Sequence, residues 1–157
     1  MFLALLIVVL LAYLQTRTGQ AVAVKDRQAA LLTMAAIVLL FVQVFLGTEV
    51  RSAIDLISSQ MPRNEWIGAL GTAFVTHRTF SWVVLIAQLV LIRKIRKTQG
   101  LNSLSLPLLI LILGVFLTGV GMAYLSVPAV LQPLHLTLAT MAIGTEALLM
   151  FRIDGSN

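Results

Sequence analysis

The sequence predicts an all-α integral membrane protein: a four-helix transmembrane bundle preceded by one short N-terminal transmembrane helix. Three observations carry this. Of 157 residues, 59% are apolar or aromatic and only 11% are charged, whereas a water-soluble domain needs about a quarter charged residues to cover its surface. The mean hydropathy is +1.00. Apolar runs near the length of a bilayer crossing recur along the chain, so lipid is the solvent for most of it. A soluble enzyme, a secreted disulfide scaffold and a nucleic-acid binder are excluded. Cysteine is absent, which removes disulfides, thiolate metal sites and cysteine nucleophiles.

Five apolar segments follow in order: Met1 to about Leu14, about Leu31 to Gly47, about Ala73 to Ile92, about Leu106 to Leu125, and about Val130 to Phe151. The last four approach the roughly 20 residues that a helix needs to cross a hydrocarbon core. The first has no basic n-region and no small-residue cleavage site, so it reads as a short or truncated span rather than a signal peptide. The expected organisation is a short helix over 1–14, a loop over 15–28, a four-helix membrane domain over 29–152 and a tail over 153–157.

Sidedness comes from Lys and Arg. If the helices alternate in direction, Arg17, Lys25, Arg27, Arg93, Lys94, Arg96, Lys97 and Arg152 lie on one side, and only Arg51, Arg63 and Arg78 on the other. Positive charge stays cytoplasmic, which puts the N-terminus outside and the C-terminus inside. The pI near 10.5 is a consequence of this topology and not a sign of a nucleic-acid partner. The longest loop, 48–72, is then external. Within it Ala53, Ile54, Leu56 and Ile57 fall at helical spacing among polar residues, which predicts a short amphipathic helix on the membrane surface. Trp66 and Tyr124 are expected as interfacial aromatics.

A weak internal repeat links the second and fourth segments. Val44-Phe45-Leu46-Gly47 and Val115-Phe116-Leu117-Thr118-Gly119 each precede an external loop and a descending helix with a histidine near its outer end, His77 or His135. Two hairpins related by an axis along the membrane normal would put both imidazoles at similar depth.

Ionisable groups within spans are costly and usually face the bundle interior. A histidine there can be a simple helix-to-helix hydrogen-bond residue. A matched pair can instead supply two axial ligands to one haem iron held in a bundle core. Zinc would want three or four ligands, and no third strong ligand is evident. On the fifth segment His135, Ala139, Ala142 and Glu146 form one stripe, and on the third His77, Ser81, Val84 and Gln88 form another. The alanines leave room for a flat ring or serve ordinary close packing. The stripes turn Ser81 and Gln88 inward, and Gly114, Thr118 and Gly121 read most simply as a close-packing face. Arg78 and Arg51 stand on the side where haem propionates would need cations; each could equally pair with Glu49 or Asp55 or reach lipid phosphates. For Glu146 the expectation is snorkelling or a pair with Arg152, with proton movement as the alternative.

Three stretches resemble the haem A synthase family: Gln43-Val44-Phe45-Leu46-Gly47-Thr48-Glu49-Val50-Arg51, Thr76-His77-Arg78-Thr79-Phe80-Ser81-Trp82, and Gln132-Pro133-Leu134-His135-Leu136-Thr137-Leu138-Ala139. The resemblance covers about residues 28 to 152. It implies an oxidoreductase of the bacterial inner membrane that converts haem O to haem A for terminal oxidases, built from two similar four-helix halves. This chain resembles the second half, which holds haem b, with the first segment as the remnant of a preceding helix. His77 and His135 would be the axial ligands. In the substrate half a catalytic glutamate stands three residues before the His-Arg pair; here that position is Phe74. The loop cysteine pairs of many members are missing. The chain is therefore expected to need a missing N-terminal half, a second subunit or a second copy to act on its haem substrate. A stand-alone bis-histidine cytochrome and a non-redox assembly subunit are the other readings.

Overall fold

The computed structural model describes residues 7–11, 13–14 and 24–154. The rest of the first apolar segment, the loop residues 15–23 with Arg17, and the tail residues 155–157 lie outside the described residues. The elements in order are strand β1 (Val24–Lys25), helices α1 (Arg27–Ile57), α2 (Trp66–Ala69), α3 (Gly71–Arg96), α4 (Ser105–Tyr124) and α5 (Leu131–Arg152), and strand β2 (Ile153–Asp154). Short 3₁₀ turns precede α2 and α4. The fold is all-α, with α1, α3, α4 and α5 each long and apolar enough to cross a membrane.

Each span begins or ends where its sequence allows. Asp26 caps α1 by accepting a hydrogen bond from the Ala29 N–H at 3.0 Å, satisfying one of the orphan donors of a helix start. Its other carboxylate oxygen meets Lys94 Nζ at 2.9 Å, which ties the start of α1 to the end of α3. Gly100 makes the turn towards α4 with φ +88°, and a Cβ there would meet Val24 Cγ2 at 2.8 Å; only glycine suits that position. At the same end β1 pairs in parallel with β2, Val24 opposite Ile153.

The helices pack as two hairpins, α1 with α3 and α4 with α5, which then pair. Their contact faces form one apolar core towards the basic end, around Ala36, Leu91, Ile95, Leu108, Ile143 and Leu149. The opposite faces carry exposed Leu31, Val38, Ile86, Ile110 and Leu117, as a lipid-facing surface requires. Residues 7–11 and 13–14 are helical and run alongside α5 in the same direction: a Cβ on Gly144 would meet Val8 Cγ1 at 2.5 Å, and Tyr13 packs edge-on against Phe151.

The loop expected over 48–72 differs from its sequence reading. Rather than a separate surface helix, the Ala53–Ile57 stretch continues α1, whose 31 residues span about 46 Å at 1.5 Å per residue, beyond a core of about 30 Å. The overhang folds into a cap. Ile54, Trp66, Leu70 and Val127 form a second apolar cluster. Trp66, expected at the interface, is buried there and donates its indole N–H to the Met61 carbonyl at 3.1 Å. Tyr124 is fully open, with 82% of its surface exposed. Arg63 stacks on Trp66 at 4.8 Å and donates to the Val127 carbonyl at 2.9 Å. That bond spans a strained turn, in which Ser126 and Val127 have φ of +56° and +54°.

Candidate functional site

Both histidines lie between the two apolar clusters, each in the first two turns of its helix. The cap lies above them and the main core below. Each ring rests against a glycine of the helix that precedes it in its hairpin. A Cβ on Gly47 of α1 would meet Cε1 of His77 at 3.4 Å, and one on Gly119 of α4 would meet Cε1 of His135 at 3.3 Å. These glycines close the two repeated Val-Phe-Leu motifs, so the weak sequence repeat corresponds to a repeated three-dimensional cradle.

A polar side chain from the same preceding helix reaches each ring. Thr118 Oγ1 lies 2.9 Å from His135 Nδ1 and within 2.8 and 2.9 Å of the Gly114 and Val115 carbonyls. A hydroxyl has one proton. Given to a backbone carbonyl, it leaves the oxygen to accept from His135 Nδ1–H, and His135 Nε2 keeps its lone pair. That is how a supporting residue fixes an imidazole as a ligand. On the other side Gln43 Nε2 donates to the His77 carbonyl at 3.2 Å and lies 3.3 and 3.4 Å from His77 Nδ1 and Nε2. Gln43 Oε1 is buried without a partner.

The remaining predicted residues divide. Arg51 is exposed and pairs with Asp55 at 2.7 Å; it also donates to Gln132 Oε1, which joins α1 to α5 above the histidines. Arg78 is exposed, its guanidinium 5.4 Å from the centre of the Phe74 ring. Neither arginine is held by Glu49 among the described ion pairs. Ser81 donates to the Arg78 carbonyl at 2.6 Å, so its hydroxyl is spent on its own helix. Ala142 belongs to the packed core. Gly114 and Gly121 do form a close-packing face, against Leu138 and Leu131. Thr118, between them, turns out to be the partner of His135.

Glu146 corrects its sequence reading. It is fully buried and forms no hydrogen bond and no ion pair among the described residues. It neither snorkels nor meets Arg152, whose Nε is itself buried and unpartnered. The reason is helix rotation: the face of α5 that carries Ala139, Ala142 and Glu146 turns into the bundle. No cluster of three His, Asp or Glu forms among the described residues.

The sequence left Gln43 without a role and read Thr118 only as part of a close-packing face. A glutamine inside an apolar run was the available signal for the first; a threonine among glycines carries almost none.

The fold defines an all-α bundle of four helices long and apolar enough to cross a membrane, with two glycine-cradled histidines between its apolar clusters. The chain belongs to the COX15-CtaA family of cytochrome oxidase assembly proteins, which it matches over residues 1–146. This is the haem A synthase family that the three motifs resemble. No curated protein and no solved structure matches the chain.

Proposed function

We propose that this chain is the haem b-holding unit of a haem A synthase, with His77 and His135 as the two axial ligands of one iron. One observation carries the reading: two imidazoles from two hairpins, each set against a glycine and each touched by one polar side chain of the preceding helix. Bundle cores commonly hold a haem between side chains of facing helices, and this duplicated arrangement suits one. Haem b, when bound, supplies one-electron redox chemistry.

The chain's own residues do the rest. Thr118 orients His135 so that Nε2 is the free donor. Gln43 holds the His77 turn and ring. The cap around Ile54, Trp66 and Val127 and the apolar core below keep water from the centre. Arg51 and Arg78 stand at the same end as the histidines, where propionates would meet them. Their present partners, Asp55, Gln132 and the Phe74 ring, are all exposed or weak enough to exchange.

Oxidation of a haem O methyl to the formyl of haem A would take place on a second haem-holding unit: another segment, a second subunit or a second copy. Phe74 occupies the position of the catalytic glutamate, so this unit has no carboxylate there to accept a proton. We place the histidine end outside the bacterial inner membrane and the basic end in the cytoplasm, on the eight-to-three division of Lys and Arg. The Phe74 side chain also favours a second reading, a bis-histidine cytochrome that only shuttles electrons.

The test is optical and chemical. Purified protein should carry haem with a low-spin bis-imidazole spectrum, lost in His77→Ala and in His135→Ala. Normal low-spin spectra in both variants would overturn the assignment. Co-expression with a haem O source and the complementary unit, followed by chromatography of extracted haem, separates the synthase from the shuttle: haem A forms only for the first.

A further inference from the structure

Two fully buried polar side chains in the bundle take no part in the histidine centre. Gln88 on α3 and Glu146 on α5 both have 0% of their surface exposed. Gln88 stands eleven residues beyond His77 and Glu146 eleven beyond His135. Eleven residues are about three turns and about 16 Å, so each lies on the same helix face as its histidine, deeper towards the basic end. The two are related by the same repeat as the imidazoles. Both side chains lie in the bundle interior, and all four of their polar atoms lack a hydrogen-bond partner.

Leaving four buried polar atoms unpaired is costly, and internal water is the usual occupant of such a site. A metal cation is a poor fit: hard cations take about six oxygen ligands, and these two side chains offer three. An ionised carboxylate alone in a membrane interior is costly without a counter-charge, and none of the described residues supplies one. Among the elements packed on α5, Asp26 and Lys94 are occupied with each other, Arg27 is exposed, and α4 has no ionisable group in this half. Tyr13 packs on Phe151. Arg152, on α5 itself, forms no pair with Glu146.

We propose that Glu146 and Gln88 form an internal proton site: a carboxylic acid that, together with bound water, exchanges its proton with solvent at the basic end. The exchange moves one proton from the carboxyl to water and leaves a carboxylate hydrogen-bonded to the Gln88 amide N–H. The site is independent of what the histidines bind.

Infrared spectroscopy of the purified full-length chain at neutral pH tests this. Wild-type protein should show the C=O stretch of a protonated carboxylic acid, absent in Glu146→Gln and moved in Glu146→Asp. The band should shift down after transfer to D₂O, and Gln88→Leu should move it by removing its amide neighbour. A difference spectrum between wild type and Glu146→Gln with no such band would overturn the proposal. So would a band that stays unshifted in D₂O, which marks a sealed acid without exchange. A band unmoved in Gln88→Leu would remove Gln88 from the site. Because none of these readouts uses haem, failure here is distinct from failure of the axial-ligand assignment.

Discussion

Thr118 Oγ1 and His135 Nδ1 are 2.9 Å apart, and the same hydroxyl lies 2.8 Å from the Gly114 carbonyl. With its one O–H donated to α4's own backbone, the threonine oxygen is left to accept from a His135 Nδ1–H, the tautomer that keeps Nε2 as the lone-pair nitrogen. Thr118→Val keeps the shape and removes the hydroxyl. It should weaken haem retention by about 10–100-fold, the usual scale for losing a residue that orients a ligand, and shift the midpoint potential. Thr118→Ser should restore both. Haem titration and potentiometry of the three proteins check this; an unchanged Thr118→Val would reduce the contact to packing.

The two glycine cradles respond differently to small and large side chains. At Gly47 a Cβ sits 3.4 Å from the His77 ring, an ordinary contact, and at Gly119 3.3 Å from His135, slightly tight. Alanine gains about 1 kcal/mol over glycine in a helix interior. Gly47→Ala should therefore be neutral or stabilising, and Gly119→Ala less so. Valine at either position adds carbons where the ring lies and should abolish the low-spin spectrum. Thermal melts with absorbance spectra separate the two effects.

Arg63 closes the cap by holding the Val127 carbonyl across a turn with two residues at positive φ. Arg63→Ala should lose about 1–3 kcal/mol and expose the 125–130 turn to added protease. Ser126→Gly should do the reverse, because a left-handed conformation costs a residue with a Cβ about 1–2 kcal/mol. Melting temperature and cleavage rate in detergent measure both.

At the opposite end, Asp26 is held below the ordinary carboxylate range, first by the Ala29 N–H it accepts and then by Lys94. A depressed folded-state value means that its contribution to stability is fully present above the ordinary value of 3.8. It fades as pH falls below that, through the lower folded-state value. Asp26→Asn keeps the cap oxygen and drops the ion pair, whereas Asp26→Ala loses the cap as well, about 1 kcal/mol. Wild type should melt above Asp26→Asn near neutral pH, and the gap should close below about pH 4. A gap that persists in acid would mean the charge is not what matters.

The spans, their order and the two histidines were legible in the sequence because they answer to local requirements. A crossing needs about 20 apolar residues, and a basic imidazole inside one stands out against its neighbours. The repeat ending at Gly47 and Gly119 was visible as letters, and the stripes of His77 with Gln88 and His135 with Glu146 as a period. Other features depended on which face each helix turns to its neighbours, and no single stretch encodes that. Rotation of α5 buried Glu146 away from Arg152. The 31-residue α1 outran the bilayer, so its apolar overhang covered Trp66 rather than lying on lipid. The pairing of α4 with α5 brought Thr118 to His135, and that of α1 with α3 brought Gln43 to His77. Hydrophobic length acts along one segment and can be read there; hydrogen bonds between helices exist only after packing has chosen the partners.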